Sequence, residues 1–250
     1  MKISKTQQRK QFLEKGYFIG KINSKIVKQL RKNFLSFFNS ASELSNGQKI
    51  KNDSDLMKLY NSQKRFVWTA AFDLRMSDPL LLKLATSKEI INLAKIAGIK
   101  KPYFKTMPIY RVDMPKDDPK YSFGAHQDYP YSEGSKNSIT MWLPLQNINV
   151  KNGALKVAEG THKSGKIYKR DKKNIILKKY KFNFKSILCK PGDVIVFSQN
   201  LVHKSGYNSS NTVRFSVGFR FSDLSKKDSI STLLMEKYKA QKTNFDFQNQ

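Results

Sequence analysis

The chain has 250 residues, with 47 lysines and arginines against 19 aspartates and glutamates, giving a formal net charge of +28. A hydrophobic content of 39% is enough for a packed core and excludes wholesale disorder. No apolar run approaches the roughly 20 residues of a membrane span, and the basic N-terminus lacks the apolar stretch of a signal peptide. Cys189 is the single cysteine, which excludes an intramolecular disulfide and a cysteine-based zinc site. The simplest expectation is a cytoplasmic protein.

The high positive charge invites the hypothesis of a nucleic-acid-binding protein, because basic side chains neutralise phosphates. Most of the excess is lysine, however, whereas base readout and bidentate phosphate contacts favour arginine. A generally basic, solvated surface explains the same composition without any partner. The charge therefore does not define the function.

Residues 1–102 are predicted to form a mainly helical N-terminal region. Ser24 can cap a helix whose apolar residues recur at helical spacing. The pair Asp78-Pro79 is typical of a helix start, since proline needs no N–H donor there. A further short helix is expected over residues 87–98, with a glycine at its end.

From Tyr103 onward, short runs rich in β-branched and aromatic residues alternate with turn residues, which is typical of strands. So many short strands without helical repeats predict an antiparallel sandwich or barrel over residues 103–222. Asp228 is expected to begin a last helix within residues 223–250. The predicted strands are Tyr103–Val112, Phe123–Asp128, Ser138–Ile148, Ala154–Ala158, Ser186–Cys189, Val194–Ser198 and Val213–Ser222.

Residues 163–185, called the basic segment below, hold ten lysines and arginines against Asp171 alone. The segment lies between two predicted strands, so we expect a long loop or lid, and long loops in compact domains are often functional. A lid that binds an anionic substrate and a merely solvated loop are the two interpretations of its charge.

The three histidines make a metal site easy to assess. His126 and Asp128 are two residues apart, so on a strand their side chains project from the same face. One further histidine would complete a 2-His-1-carboxylate triad, which holds Fe(II) by one face and leaves positions open for substrate and O₂. His203, after an apolar strand, is the better candidate, whereas His162 stands in a glycine-rich turn. An isolated His-x-Asp also occurs often by chance.

Arg214 lies on the last predicted strand, where alternation places Arg214, Ser216, Gly218 and Arg220 on the face opposite five apolar residues. A guanidinium on a face of mostly small residues is costly unless it holds an anion. Its planar fork suits a carboxylate. The alternative is an ordinary salt bridge within the chain.

In this order and spacing, the motifs resemble those of the phytanoyl-CoA dioxygenase family of Fe(II)- and 2-oxoglutarate-dependent oxygenases, over almost half of the chain. The resemblance implies a double-stranded β-helix, or jelly roll, flanked by N-terminal helices, with a single catalytic domain over residues 1–250. The matching stretches are His126–Asp128, Met141–Leu145, Asn152–Leu155, Gly160–Lys163, Lys190–Phe197, His203–Gly206 and Asn211–Arg214.

The resemblance also implies roles for individual residues. His126, Asp128 and His203 would be the iron ligands, and Arg214 would grip the distal carboxylate of 2-oxoglutarate. The positions that match a lining of the co-substrate pocket are Ser205, Trp142 and Met107. For the two large apolar side chains, ordinary packing is the alternative.

The implied reaction consumes O₂ and 2-oxoglutarate, releases succinate and CO₂, and hydroxylates a small organic substrate. Related halogenases carry a small residue in place of the carboxylate, so Asp128 favours hydroxylation or a related oxidation such as desaturation. The charge of the basic segment leads to the hypothesis of an anionic substrate, with a solvated loop as the rival interpretation. The competing hypothesis is a basic anion- or nucleic-acid-binding protein on the same fold, with a non-catalytic metal site.

Overall fold

Helices come first in the chain and strands dominate from residue 102 onward. The computed structural model describes residues 3–62, 65–74, 77–116, 124–132, 134–171, 174–177 and 181–229. The helices are α1 Lys5–Lys15, α2 Ser24–Asn46, α3 Asp53–Asn61, α4 Arg65–Asp73, α5 Pro79–Ala85, α6 Lys88–Ile96 and α7 Tyr129–Ser132. The strands are β1 Tyr17–Lys21, β2 Pro102–Asp113, β3 Ile139–Pro144, β4 Lys156–Val157, β5 Tyr168–Asp171, β6 Asn174–Leu177, β7 Lys185–Ser186, β8 Asp193–Ser198, β9 His203–Lys204 and β10 Arg214–Asp223.

Two antiparallel sheets form the β part of the molecule. The larger sheet has five strands in the order β1-β8-β3-β10-β2, and the smaller has three in the order β7-β4-β9. Strands β5 and β6 pair with each other as a separate hairpin. The two sheets with helices packed on the larger one give the predicted jelly roll with flanking helices.

The larger sheet separates two hydrophobic clusters, because alternate side chains of each strand point to opposite faces. On β10 the predicted alternation is confirmed: five apolar residues join the cluster that also contains the helices, namely Val213, Phe215, Val217, Phe219 and Phe221. On the opposite face, Trp142 and Phe197 pack with Leu155 and Val157 of the smaller sheet region. The space between the two sheets is therefore where a cavity can open.

Side-chain caps set the starts of the helices, and one differs from the sequence prediction by a residue. Asn23, not Ser24, caps α2, accepting a hydrogen bond from the backbone N–H of Lys25 at 2.9 Å. Asp78 caps α5 and Ser87 caps α6, at the two places where the sequence predicts these helices to begin. Among the described residues, no helix combines the length and apolar character needed to cross a bilayer.

Other elements depart from the sequence prediction. Strand β1, in the region predicted to be helical, pairs with the edge of β8 because its apolar residues cover that edge. Of the predicted strand Phe123–Asp128, Phe123 lies outside the described residues, and the remaining residues form only an isolated bridge at His126. The basic segment is not a plain loop, since it contains the hairpin of β5 and β6. The predicted helix from Asp228 falls largely outside the described residues.

Asp78 links the helices to the larger sheet. One carboxylate oxygen accepts hydrogen bonds from Asn33 Nδ2 of α2 at 2.7 Å and from the N–H of Leu80 at 2.9 Å. The other oxygen accepts from the hydroxyl of Tyr110 on β2. Burial, together with the neighbouring carboxylate, raises the pKa of Tyr110, so the phenol remains the donor. Three elements thus share one buried carboxylate.

We expect Tyr110→Phe to lower the free energy of unfolding by about 1–3 kcal/mol, because it leaves a buried oxygen of Asp78 without its donor. Tyr207→Phe is the matched control, since Tyr207 is 45% exposed, and its effect should stay within about 0.5 kcal/mol. Urea denaturation of the three proteins measures both changes. Equal stability of the two variants would contradict the role given to Asp78.

Candidate metal centre and cavity

A backbone bridge brings two distant histidines together. The N–H of His126 donates to the carbonyl of His203 at 2.9 Å, and the N–H of His203 donates to the carbonyl of His126 at 3.0 Å. This antiparallel bridge leaves the two imidazole rings with centroids 4.2 Å apart. The ring pair predicted from the sequence therefore exists, and the main chain fixes it.

Both imidazoles are held in the form that can bind a metal. His126 Nδ1 lies 2.7 Å from the carbonyl oxygen of Gly124, and His203 Nδ1 lies 3.0 Å from that of Leu201. Because a carbonyl can only accept, Nδ1 carries the proton in each ring and Nε2 carries the lone pair. Burial, with the neighbouring His126, lowers the pKa of His203 to about 4, so this ring is neutral near pH 7.

Asp128 uses its two carboxylate oxygens differently. Its Oδ1 lies 3.4 Å from His126 Nε2 and 3.7 Å from His203 Nε2. Its Oδ2 accepts from Thr140 Oγ1 at 2.6 Å and lies 3.5 Å from Arg220 Nε. Burial alone would raise the pKa of Asp128, but Arg220 and the two histidines hold it well below its ordinary value. The ligand atoms of the triad lie within 4.8 Å of one another and can hold a metal ion.

Arg214 already has a carboxylate partner within the chain. Its Nη2 lies 2.8 Å from Asp113 Oδ1, and its Nε donates to Asp113 Oδ2 at 3.1 Å. Nη1 donates to the carbonyls of Gly153 and, at 3.3 Å, Gly206. Burial opposes ionisation of Asp113, yet Arg214 and Arg111 lower its pKa below the ordinary value. The sequence analysis expects an anion beside this buried guanidinium, and Asp113 is such a partner within the chain.

Gly153 makes room for Arg214, and Gly206 lets the backbone pack closely beside it. A Cβ on Gly153, whose φ is +89°, would collide with Nη1 of Arg214 and come within 2.7 Å of the Gly206 carbonyl. A Cβ on Gly206 would lie 2.8 Å from the carbonyl carbon of Gly153. Gly153 therefore has no space for a side chain while the guanidinium is in place, and Gly206 has none because the backbone of Gly153 and Ala154 is so close.

A cavity of about 300 Å³ opens beside the triad between the two sheets. Of the three residues that the resemblance assigns to the co-substrate pocket, Trp142 and Ser205 line this cavity, and Met107, which is 49% exposed, does not. His162 is also elsewhere, with Nε2 3.1 Å from the carbonyl of Leu13. The lining residues are Thr106, Ile109, Arg111, His126, Asp128, Tyr131, Thr140, Trp142, Leu155, Phe197, His203, Ser205, Arg214, Gly218 and Arg220.

Sequence reasoning missed Gln127, which stands between two triad residues. Its buried carboxamide donates to the carbonyls of Gly165 at 2.7 Å and Asn200 at 2.5 Å, and accepts from the N–H of Ile167 at 3.1 Å. The start of the basic segment is thereby attached to the triad segment. The only sequence signal was a polar residue that must face away from its two neighbours on an extended chain.

The fold and the centre together define a jelly-roll protein with a 2-His-1-carboxylate cluster whose ligand atoms could hold a metal ion. The family model for phytanoyl-CoA dioxygenase (PhyH) matches residues 50–216, more than half of the 250 residues, and the chain belongs to this family. The sequence-based recognition of the family is thereby confirmed.

Two curated relatives are similar over part of their length. Methylphosphonate hydroxylase of Gimesia maris is 29% identical over 122 residues, which cover 48% of this chain and 45% of that protein. The 2-aminoethylphosphonate dioxygenase of the uncultured bacterium HF130_AEPn_1 is 30% identical over 108 residues, covering 42% and 41%. The aligned part thus spans less than half the length of either relative.

Solved structures show the same fold at low sequence identity. EctD from S. alaskensis with bound Fe has a TM-score of 0.63 at 17% identity, covering 89% of this chain and 78% of that one. The epimerase SnoN in complex with Fe³⁺, alpha ketoglutarate and nogalamycin RO has a TM-score of 0.64 at 15% identity, covering 88% and 83%. This likeness confirms the jelly roll.

The geometry predicts one divalent metal ion per chain, bound through two of the three histidines. His126→Ala and His203→Ala should each weaken Co(II) binding by more than about 100-fold, beyond the range seen when only an outer partner of a ligand is lost. His162→Ala is the matched control and should bind normally. Calorimetric titration with Co(II) measures all three. Equal weakening in the control would show that the metal binds elsewhere.

Proposed function

We propose that the protein is a non-haem Fe(II)- and 2-oxoglutarate-dependent dioxygenase that hydroxylates a small anionic substrate. The observation that carries the proposal is the triad, in which both histidine Nδ1 atoms are occupied by carbonyls and both Nε2 atoms meet one oxygen of Asp128. Membership of the PhyH family supports the same activity.

The donor set suits ferrous iron. Two neutral imidazoles and one carboxylate form the facial triad that non-haem Fe(II) oxygenases use, and they leave the remaining coordination positions to other ligands. His126, Asp128 and His203 would hold the ion. When bound, iron with O₂ and 2-oxoglutarate supplies the oxidation of a substrate C–H bond, with succinate and CO₂ as co-products.

Arg214 is the residue we assign to the distal carboxylate of 2-oxoglutarate. Asp113 and two backbone carbonyls fix its orientation, and Nη2 keeps a second N–H beyond the one that Asp113 accepts. Ser216 stands two residues away on the same face of β10, and its buried hydroxyl has no hydrogen-bond partner in the described part of the chain. A carboxylate can accept from both groups, and Ser205 and Trp142 line the same cavity.

The charge of the cavity favours an anionic substrate. Arg111, Arg214 and Arg220 line it, while Asp128 is the single carboxylate among its lining residues in the described ranges. The two curated relatives are, by their names, enzymes for phosphonates. The described residues of the basic segment do not line this cavity. The expectation of an anionic substrate, which the sequence analysis based on the lysines of that segment, is therefore supported by the three arginines instead.

The competing hypothesis of a basic nucleic-acid- or anion-binding protein with a non-catalytic metal site is not favoured. That hypothesis requires the triad to have no catalytic use. The carbonyls that bind both histidine Nδ1 atoms and the hydroxyl of Thr140 that binds Asp128 instead orient all three side chains for a metal. A surface rich in lysine requires no partner.

Anaerobic titration of the protein with Fe(II) and 2-oxoglutarate should produce the weak visible charge-transfer band of the chelate, and admission of air should release succinate. His126→Ala should abolish the band, and Arg214→Ala should raise the Kd of 2-oxoglutarate roughly 10- to 100-fold, because a charged hydrogen bond is lost. Arg9→Lys on α1 is the control. No band together with no succinate would overturn the proposed activity.

Gly153→Ala should weaken 2-oxoglutarate binding roughly 10- to 100-fold, because the new Cβ displaces the Arg214 guanidinium. Gly47→Ala is the matched control: its φ is +69° and no atom lies within 4 Å of its added Cβ. Both variants share a backbone strain of about 1–2 kcal/mol, which urea denaturation measures. The Kd comes from the charge-transfer titration. An equal Kd in the two variants would refute the crowding of Arg214.

A further inference from the structure

We propose that Arg220 binds the anionic group of the substrate, that this group is a phosphonate, and that the carbon bonded to phosphorus is the one hydroxylated. The inference rests on the proposed function and assigns the substrate class and a specificity-determining residue to the same cavity. Neither the sequence pattern nor the match to the family singles out this arginine.

Both terminal nitrogens of the Arg220 guanidinium are available to a ligand in the cavity. Its Nε lies 3.5 Å from Asp128 Oδ2, and its side chain is 25% exposed to the cavity and solvent. Its Nη1 and Nη2 make no hydrogen bond or ion pair with the residues that the structure describes. Arg214, in contrast, uses Nη1 on backbone carbonyls and one N–H of Nη2 on Asp113, and its remaining N–H is the one assigned above to 2-oxoglutarate. A planar pair of donors next to a metal site suits a bidentate oxyanion.

The position of Arg220 is fixed by the same carboxylate that serves the metal site. Thr140 donates to Asp128 Oδ2 at 2.6 Å, and Arg220 Nε approaches the same oxygen. Oδ1 is left to face the histidine Nε2 atoms. An anion on the outer nitrogens of Arg220 is therefore separated from the metal position by a single carboxylate group.

The charged side chains of the cavity region give a net charge of one positive unit. Arg111, Arg214 and Arg220 contribute three positive charges, and Asp113 and Asp128 contribute two negative charges. A divalent metal ion and the 2-oxoglutarate dianion cancel each other. The remaining charge is on the side of the cavity where Arg220 has donors without partners, so an anionic substrate is bound there without repulsion.

Thr106 favours a tetrahedral anion over a planar one. It pairs with Arg220 across strands β2 and β10, and its exposed side chain lines the same cavity. The guanidinium fork takes two oxygens, and the hydroxyl of Thr106 offers a donor for a third. A phosphonate has three oxygens around phosphorus, whereas a carboxylate has two.

This placement also selects the reacting bond. With the anion held beside Asp128, the carbon attached to phosphorus is the carbon nearest the metal site. One C–H bond of that carbon is replaced by C–OH. One oxygen atom of O₂ enters this hydroxyl group and the other enters succinate, while 2-oxoglutarate loses CO₂ and supplies the two remaining electrons.

Methylphosphonate is the probe, because it is the smallest phosphonate with C–H bonds on that carbon. It is titrated into the anaerobic protein loaded with Fe(II) and 2-oxoglutarate, and the shift of the charge-transfer band gives its Kd. Arg220→Gln should raise this Kd at least tenfold, and Arg220→Lys should recover only part of the loss. A triple Lys163→Gln, Lys166→Gln, Lys169→Gln variant of the basic segment is the charge control and should bind as the parent protein does.

The Kd of 2-oxoglutarate and of the metal must change less than about threefold in Arg220→Gln, and ³¹P NMR after admission of air should show hydroxymethylphosphonate. Equal weakening of 2-oxoglutarate would assign Arg220 to the co-substrate and overturn the proposal. The proposal would also be overturned if Arg220→Gln lost affinity for the metal but not for methylphosphonate, or if only the triple lysine variant lost affinity for methylphosphonate. A parent protein without any charge-transfer band would overturn the proposed function itself, and a band without methylphosphonate binding would overturn the phosphonate assignment alone.

Discussion

The pair of backbone hydrogen bonds between His126 and His203 is the constraint on which the site depends. It joins the segment between β2 and α7, which contains His126, to strand β9, which contains His203 and comes much later in the sequence. Once these two residues are paired, the carbonyls two positions before each histidine receive the Nδ1 protons. The tautomer of both rings therefore follows from main-chain geometry, before any metal binds.

Asp128 completes the triad, and its carboxylate is held in a fixed orientation. One oxygen faces the histidines, and the other is held by Thr140 and Arg220, so the carboxylate cannot rotate without losing two contacts. At the other end of β10, Asp113 performs the corresponding task for Arg214. Each of the two carboxylates thus orients an arginine: Arg214 keeps a single N–H of Nη2 beyond its contacts with Asp113 and backbone carbonyls, whereas both terminal nitrogens of Arg220 have no partner among the described residues.

The sequence predicted the triad and the alternation of β10 because both depend on local spacing along single strands. It could not predict that Asp113 meets Arg214, since that contact depends on the register between β2 and β10. The same register explains why Met107 misses the cavity: a β-bulge between the Gly218 and Arg220 pairs adds a residue on β2 and shifts the side chains beyond it. The partners of Gln127 are likewise set by tertiary packing.

The attachment of Gln127 to Gly165 and Ile167 has a consequence for exchanging loops between family members. A chimaera that replaces the whole basic segment from Lys163 would also replace the two anchor points of a residue between metal ligands. The neutral junction for such a graft lies after Ile167, so that the hairpin beyond it can be swapped as a module. Through its contacts with Gly165 and Ile167, Gln127 thus determines where the scaffold must end and the exchangeable hairpin can begin.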